Sequence, residues 1–522
     1  MENLTQFFSV LLSGIEGILR GFGAAVRQVV IDLHTLSGSV NNVIWTYVLV
    51  VLLIGLGLWF TVRTGLVQLR MLPEMFRLLG EGAGRKTTGR EISPFQAFCV
   101  STASRVGVGN IAGVAIAIVL GGPGAVFWMW VIAFIGSATG FVESTLAQIY
   151  KIPKGEGGFH GGPAFYIRNA LRRPGLARVF AALITVTFAL SYNSVQSNTI
   201  ASALRASFGV PLWASAVGLA ALTGVVVFGG LHRIARVAEA IVPPMAGLYI
   251  LAALVVVALN AGKVPQMFAM IVHDAFRPAA AVAGGLGAVV LNGVKRGLFS
   301  NEAGEGSVPN AAASAACSHP VKPGLVQAFG VYVDTWFVCS STAFMILLSG
   351  VWRVADGKTG VVLAQEALAS QFGTWAGWAL TLLVMLFAFS SIIGNYFYGE
   401  INVGFFQGAR RKHFTLLRAL VVFMVFFGCL ADLSIVWDLA DLCMGLLSLV
   451  NLYAISRLGP VAFAALADYA RQRRAGRRNP TFDPAAALGS TRGIHAWGLE
   501  EEAREERPRE RSARPRRRAS AS

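Results

Sequence analysis

Thr102-Ala103-Ser104-Arg105-Val106-Gly107-Val108-Gly109-Asn110-Ile111-Ala112-Gly113-Val114-Ala115 lies inside an apolar segment that runs from Pro94 to Leu120. In hydrocarbon the backbone has no water to bond, so a spanning segment is normally an unbroken helix. Two glycines followed by asparagine are poor helix formers. A helix that opens here frees N–H and C=O groups at mid-depth, which is tolerated only where they face protein, an ion or a ligand. The broken ends bring helix-dipole partial charges to the same place. That combination is the pattern expected of a secondary transporter. The glycines have a second reading, since Gly109 and Gly113 carry the small-xxx-small spacing of closely packed helices. Asn110 and Arg105 weigh for the first, because polar side chains at depth are costly and usually functional.

Working outward, the 522 residues are 55% hydrophobic and 14% charged, against about 25% charged in a soluble domain. The chain reads as an all-α polytopic membrane protein. A net charge of +17 raises the question of nucleic acid. The basic residues sit largely in loops and the C-terminal tail, so lipid and not nucleic acid is the expected partner. Five scattered cysteines show no Cys-x-x-Cys or Cys/His spacing, and no cofactor or metal centre of that kind is expected. Neither Gly-x-Ser-x-Gly nor His-Glu-x-x-His occurs, so no catalytic residues are assigned and an enzyme is not expected.

Spanning takes about twenty apolar residues. Eleven segments qualify: Ile44 to Thr61, Pro94 to Leu120, Ala125 to Tyr150, Val179 to Leu204, Leu212 to Phe228, Ala238 to Leu259, Ala279 to Ala316, Leu325 to Leu348, Trp378 to Phe406, Phe414 to Leu430 and Leu433 to Leu452. Most of the 44 Lys and Arg fall in alternate connections. The positive-inside rule then puts the N-terminus outside and the C-terminus in the cytoplasm. The expected division is an outer-face amphipathic N-terminus (1–43, with Phe7, Leu11, Ile15 and Leu19 at helical spacing), one extra span (44–63) and a basic cytoplasmic loop (64–93). Two groups of five spans follow (94–260 and 261–456), then a basic, partly disordered tail (457–522). An odd number per group inverts the second group. It opens with Ala279 to Ala316, too long for one straight span, which holds Phe299-Ser300-Asn301-Glu302-Ala303-Gly304-Glu305-Gly306-Ser307. Interrupted helices at matching positions of two inverted halves point to a midplane site. Arg471 to Arg478 is a basic cluster suited to anionic lipid headgroups.

Gly121-Gly122-Pro123-Gly124-Ala125-Val126-Phe127-Trp128-Met129-Trp130, the Gly109 to Val114 run and Lys295-Arg296-Gly297-Leu298-Phe299-Ser300-Asn301-Glu302-Ala303-Gly304 strongly resemble the alanine/glycine:cation symporter family. Val195-Gln196-Ser197-Asn198 and Tyr398-Gly399-Glu400 fit it too. The resemblance covers roughly Thr46 to Leu458. It implies sodium-coupled symport of small neutral amino acids across a bacterial inner membrane, on a LeuT-like fold with two discontinuous helices. A proton-coupled carrier of the same architecture is the alternative.

Val106-Gly107-Val108-Gly109-Asn110 also resembles the first broken helix of the neurotransmitter:sodium symporter relatives. By that likeness, N–H groups at Val108 and Gly109 hold the substrate carboxylate. Carbonyls of Ala103, Val106 and Phe387 with hydroxyls of Ser390 and Ser391 hold sodium. The alternative for the two serines is a bond back to their own helix. Gln196, Phe299, Ser300, Asn301, Ser391 and Asn395 are expected to line the substrate. The relatives' other sodium site uses the position of Asn110 and a small residue at that of Arg105. Arg105 is therefore expected to replace or exclude that ion, or to pair with Glu302 or Asp334. Glu302 and Glu305 are read as gates, proton sites or helix-end caps. Glu143, Asp334, Glu400 and Asp438 are read as structural. Family members often carry Trp at the position of Asn395, so the smaller amide suits larger or more polar substrates, such as serine or glutamine.

Overall fold

A computed structural model describes residues 38–83, 92–154, 158–229, 231–277, 287–354, 357–406 and 410–497. The surface helix expected near the N-terminus and the expected disorder beyond residue 503 lie outside them. Apart from connecting turns and an isolated Ile92–Ala315 bridge, the described residues are helical, with one antiparallel ribbon of β1 (Ile152–Pro153) and β2 (Phe159–His160).

The helices are α1 (Gly38–Arg63), α2 (Leu72–Ala83), α3 (Pro94–Arg105), α4 (Ala112–Gly121), α5 (Gly124–Ile149), α6 (Pro174–Phe208), α7 (Leu212–Val227) and α8 (Leu231–Leu259). They continue with α9 (Val264–Ala275), α10 (Ala288–Asn301), α11 (Val308–Ser314), α12 (Val321–Ser349), α13 (Gly360–Phe372), α14 (Thr374–Phe405), α15 (Arg411–Leu430) and α16 (Leu433–Arg474). Eight are long and apolar enough to cross a membrane, or nine with the α3/α4 pair counted as one bent span. Two of the eleven expected segments fall short by this measure. The sixteen residues of α7 are too few, and the segment expected from Ala279 is divided into α10 and α11.

Both interruptions have local causes. Ser93 starts α3 with a reciprocal cap: its hydroxyl accepts the Gln96 N–H at 3.0 Å, and Gln96 Oε1 accepts the Ser93 N–H at 3.1 Å. The helix stops at Arg105 because Gly107 takes φ −131°, ψ −147°, outside helical space. One 3-10 turn at Val108–Asn110 follows, and α4 leaves at 56° to α3. The second helix ends at Asn301, where Glu302 adopts φ 57° in left-handed space. Gly304 and Gly306 take φ 106° and 81°, and Pro309 in the first turn restarts α11.

Two packing groups emerge. Helix α5 lies against α1, α10, α11, α12 and α16, while α6 packs on α14 and α15, and α7 on α15. Helix α3 touches both groups, through α11 and α14, so the first break sits at their join. Helices α6 and α12 widen into π-turns at Thr185–Tyr192 and Val333–Cys339. Such bulges are frequent at functional sites, and these two aim Tyr192 and Asp334 inward.

The tail corrects an expectation. The last helix was expected to end near Leu452, yet α16 continues to Arg474 by burying Ala462, Ala465, Leu466 and Tyr469. Residues 475–497 then fold back on the loop after α11. There His319 is sandwiched between Tyr469 and Phe482, with ring centroids 5.0 and 5.2 Å away. Its Nδ1 accepts the Val321 N–H at 3.3 Å, and Nε2 lies 3.3 Å from Asp468 Oδ2. Burial, opposed by Asp468 and reinforced by Lys322, holds the imidazole at about 4 against the usual 6.5. The folded ring therefore binds a proton less readily than the released one. Its contribution is complete above pH 6.5 and falls away as pH drops toward 4. At pH 5 the docked tail should have lost about 2 kcal/mol, read as faster amide exchange in 475–497 than at pH 7. Equal exchange, after correction for intrinsic rates, contradicts this.

Candidate functional site

The first break brings three elements to one point. Ser391 of α14 donates to the Ala103 carbonyl at 2.9 Å and the Phe387 carbonyl at 3.1 Å, while Ser390 donates to Phe387 at 2.8 Å. Oxygens of Ala103, Phe387, Ser390 and Ser391 thus gather across the join, and buried Val106 caps the helix beside them. Both serines make the bond to their own helix; Ser391 alone adds one across to α3. The donor set is all oxygen, which suits a hard alkali cation.

Beside the same glycine, Gly107, the Val108 N–H donates to Gln196 Oε1 at 3.1 Å. Gly107 is wedged between these partners: a Cβ there would collide with Ser391 Oγ and lie 3.0 Å from Gln196 Oε1. At Gly109 a Cβ would lie 2.8 Å from Phe299 Cδ1 and 3.4 Å from Ser300 Cα. The two breaks therefore touch, backbone to side chain, at glycine. Phe299 sits between Tyr192 and Trp437, with centroids 4.6 and 4.7 Å away.

Asn110 ties the break to α12. Its Oδ1 accepts the Gly107 N–H at 2.9 Å and its Nδ2 donates to Asp334 Oδ1 at 2.6 Å. Ser300 and Thr335 donate to the other Asp334 oxygen at 2.5 and 3.0 Å. Asn301 turns to the same helix, donating to Thr335 at 3.3 Å. Asn395, one turn beyond Ser391, has its amide taken up: Ser104 Oγ lies 2.8 Å from its oxygen, and its Nδ2 donates to Asn193 at 3.0 Å. Ser104 is also 2.7 Å from Glu302 Oε1, and Ser307 donates to Oε2 at 2.6 Å. Glu302 thereby joins the end of α3 to the start of α11.

Arg105 does not pair as expected. Its Nη1 donates to the Gln327 carbonyl at 3.2 Å, and among the described residues no ion pair joins it to Glu302 or Asp334. Nε and Nη2 find no hydrogen-bond partner, although the residue is 2% exposed. Neutral donors hold both carboxylates instead. The same holds for buried Glu143, bonded to the Gly304 N–H at 3.3 Å and Asn451 at 2.7 Å, and for Glu305, met by the Tyr192 hydroxyl at 3.1 Å. Glu143, Glu302, Glu305 and Asp334 are four buried acids near the join, and among the described residues none has an ion-pair partner. Charge so far from water is costly unless a cation or proton balances it.

Several residues escaped sequence reasoning. Trp437, Asn193, Ser104 and Thr335 reach the site through contacts distant in the chain. Asp441, paired with Lys295 at 2.7 Å and Arg296 at 2.6 Å, carried a usable signal, an acid within an apolar span. Of the acids read as structural, Glu400 does lie 3.8 Å from Arg418.

The profile of the sodium:alanine symporter family matches residues 31–484. A Bacillus subtilis (strain 168) protein named a probable sodium/glutamine symporter is 50% identical over 465 residues, 89% of this chain and 96% of that one. The sodium/alanine symporter AgcS of Methanococcus maripaludis is 36% identical over 436 residues, covering 82% and 96%. Among solved structures, a manganese transporter of Eremococcus coleocola superposes with a TM-score of 0.44 at 15% identity, covering 74% of this chain and 82% of that one. This chain, a multi-pass membrane transporter and not an enzyme, belongs to the sodium:alanine symporter family.

Proposed function

We propose that the chain carries alanine, glycine, serine or glutamine into the cell together with sodium, by alternating access. One observation carries the reading: Ser391 reaches across the join to the Ala103 carbonyl at the point where α3 is interrupted. Ala103, Val106 and Phe387 carbonyls with Ser390 and Ser391 hydroxyls form the sodium site. The ion binds when these hydroxyls turn their lone pairs inward. It then ties the α5-centred group to the α6-centred group. The substrate carboxylate takes the Val108 and Gly109 N–H groups, displacing the Gln196 amide, while Phe299, Ser300 and Asn301 close the pocket from the second break. Asn395 shapes the pocket by fixing Ser104.

The LeuT-like reading takes the eleven apolar segments in one-plus-five-plus-five order. It is supported by the packing of α10, α11 and α12 on α5 and of α14 and α15 on α6, with α3 at the join of the two groups. The basic connections favour a cytoplasmic C-terminus at a bacterial inner membrane, where the Arg471 to Arg478 cluster would meet anionic lipid. Proton coupling is a second reading. It is favoured by Glu305, which has the Tyr192 hydroxyl as hydrogen-bond donor, and by the name of a relative from Bacillus sp. (strain PS3), a sodium/proton-dependent alanine carrier protein 36% identical to this chain.

Uptake of a panel of labelled amino acids into proteoliposomes tests the substrate assignment. Alanine, glycine, serine and glutamine should accumulate and compete with one another. Accumulation restricted to charged or large aromatic amino acids contradicts it.

A further inference from the structure

The folded part of the tail lies over one place. Gln472 turns the chain back by bonding Thr481, its Nε2 to the carbonyl at 2.7 Å and its Oε1 to the N–H at 3.1 Å. The Phe482 N–H then donates to the Ser318 carbonyl at 3.0 Å, and Ser318 Oγ donates to the Pro480 carbonyl at 2.9 Å. Further on, Trp497 Nε1 donates to the Gln148 carbonyl at 2.9 Å, and the Trp497 and Phe482 rings meet edge to face at 5.1 Å. Phe482 is buried by these contacts.

Beneath this segment the inner ends of both interrupted helices are knotted to the end of α5. Ile92, just before α3, accepts the Ala316 N–H at 3.1 Å. Ala315, just after α11, has its carbonyl bonded by Gln148 Nε2 and Lys151 Nζ, both at 3.0 Å. Lys151 also sits 4.9 Å over the Trp497 ring. For a path to open from this face, α3 and α11 must part from the end of α5, and the tail holds the loop after α11 to the end of α5.

We propose that residues 475–497 are a strap that restrains opening of the transporter on the face bearing the basic loops. This rests on the alternating-access reading above, but its physical content is local: undocking the strap exposes the Ile92–Ala315 knot. Two aromatic anchors hold it, so it yields as a unit without unfolding the helices.

Cys317, next to Ser318 and half-buried, is a native reporter; Cys99, Cys339, Cys429 and Cys443 are buried. The experiment compares the full chain with a chain ending at Arg478 and with the full-length double variant Phe482→Ala/Trp497→Ala. Both altered chains should react with a polar maleimide at Cys317 about tenfold faster than the full chain. The other four thiols should stay protected and the melting temperature nearly unchanged. Sodium-driven uptake should quicken in parallel. Equal Cys317 reactivity in all three chains overturns the proposal. So does exposure of all five thiols with a lowered melting temperature, which would make the segment merely structural. Faster Cys317 labelling without uptake of any amino acid would leave the strap standing and count against the transport reading instead.

Discussion

Gly107→Ala should abolish uptake, with a loss on the order of 100-fold or more, while the protein still assembles in the membrane. The added methyl would collide with Ser391 Oγ and crowd Gln196 Oε1 at 3.0 Å. Neither neighbour is free to retreat. Ser391 is bonded to the Ala103 and Phe387 carbonyls, and Gln196 receives the Val108 N–H. The methyl must therefore push α3 away from α14 or turn the 3-10 segment. Displacement of about 1 Å in a site built from fixed groups costs roughly 100-fold in activity. Overpacking costs about 1–3 kcal/mol of stability, spread over a large helical body. The check is the initial rate of sodium-driven uptake per reconstituted protein, beside a melting curve. Gly113→Ala is the control, since its nearest neighbour, Trp437, is 3.6 Å away. Uptake by Gly107→Ala near the parental rate would show that close packing alone accounts for this glycine.

The second large effect concerns sodium. Ser391→Ala should raise the sodium concentration for half-maximal uptake about 10- to 100-fold, equivalent to roughly 1.4–2.8 kcal/mol. The substitution removes one oxygen of the proposed sodium site and cuts the hydrogen bond from α14 to Ala103. Ser390→Ala removes another oxygen of the proposed site but leaves that bond, so its effect should be smaller. Ser341→Ala supplies a baseline, because Ser341 likewise donates to its own helix, at 2.7 Å to Phe337, away from the join. If Ser391→Ala lowers the maximal rate but leaves the sodium dependence unchanged, the serine organises the helix contact and does not ligate the ion.

Much of this was legible in residue order because backbone opening at depth needs special residues. Gly107, Gly109 and Asn110 announced the first break, and the length of the segment from Ala279 announced the second. What stayed hidden depends on pairing across the chain. Nothing local to Glu302 reveals that Ser104 meets it, or that Arg105 bonds the Gln327 carbonyl instead of an acid. The π-turns that aim Tyr192 and Asp334 leave no clear mark in hydrophobic periodicity. The long α16 was misjudged for a different reason. Arginines after Arg457 look like a polar tail, yet Leu458, Ala462, Ala465, Leu466 and Tyr469 keep helical spacing on one face. Phe482 and Trp497, two aromatics in a polar stretch, were the readable sign that the chain docks again.

On the proposed sites, ion and substrate would depend on each other. Ser391 Oγ and Gln196 Oε1, which takes the Val108 N–H, crowd the same point at Gly107, so a shift of one bears on the other. Linkage requires the effect to be reciprocal.

The most direct measurement is alanine binding to the purified protein at fixed pH, in sodium against potassium of equal ionic strength. The account predicts at least about tenfold tighter binding in sodium, with the difference largely lost in Ser391→Ala. Equal affinity in the two salts, with binding that instead follows pH, would contradict it.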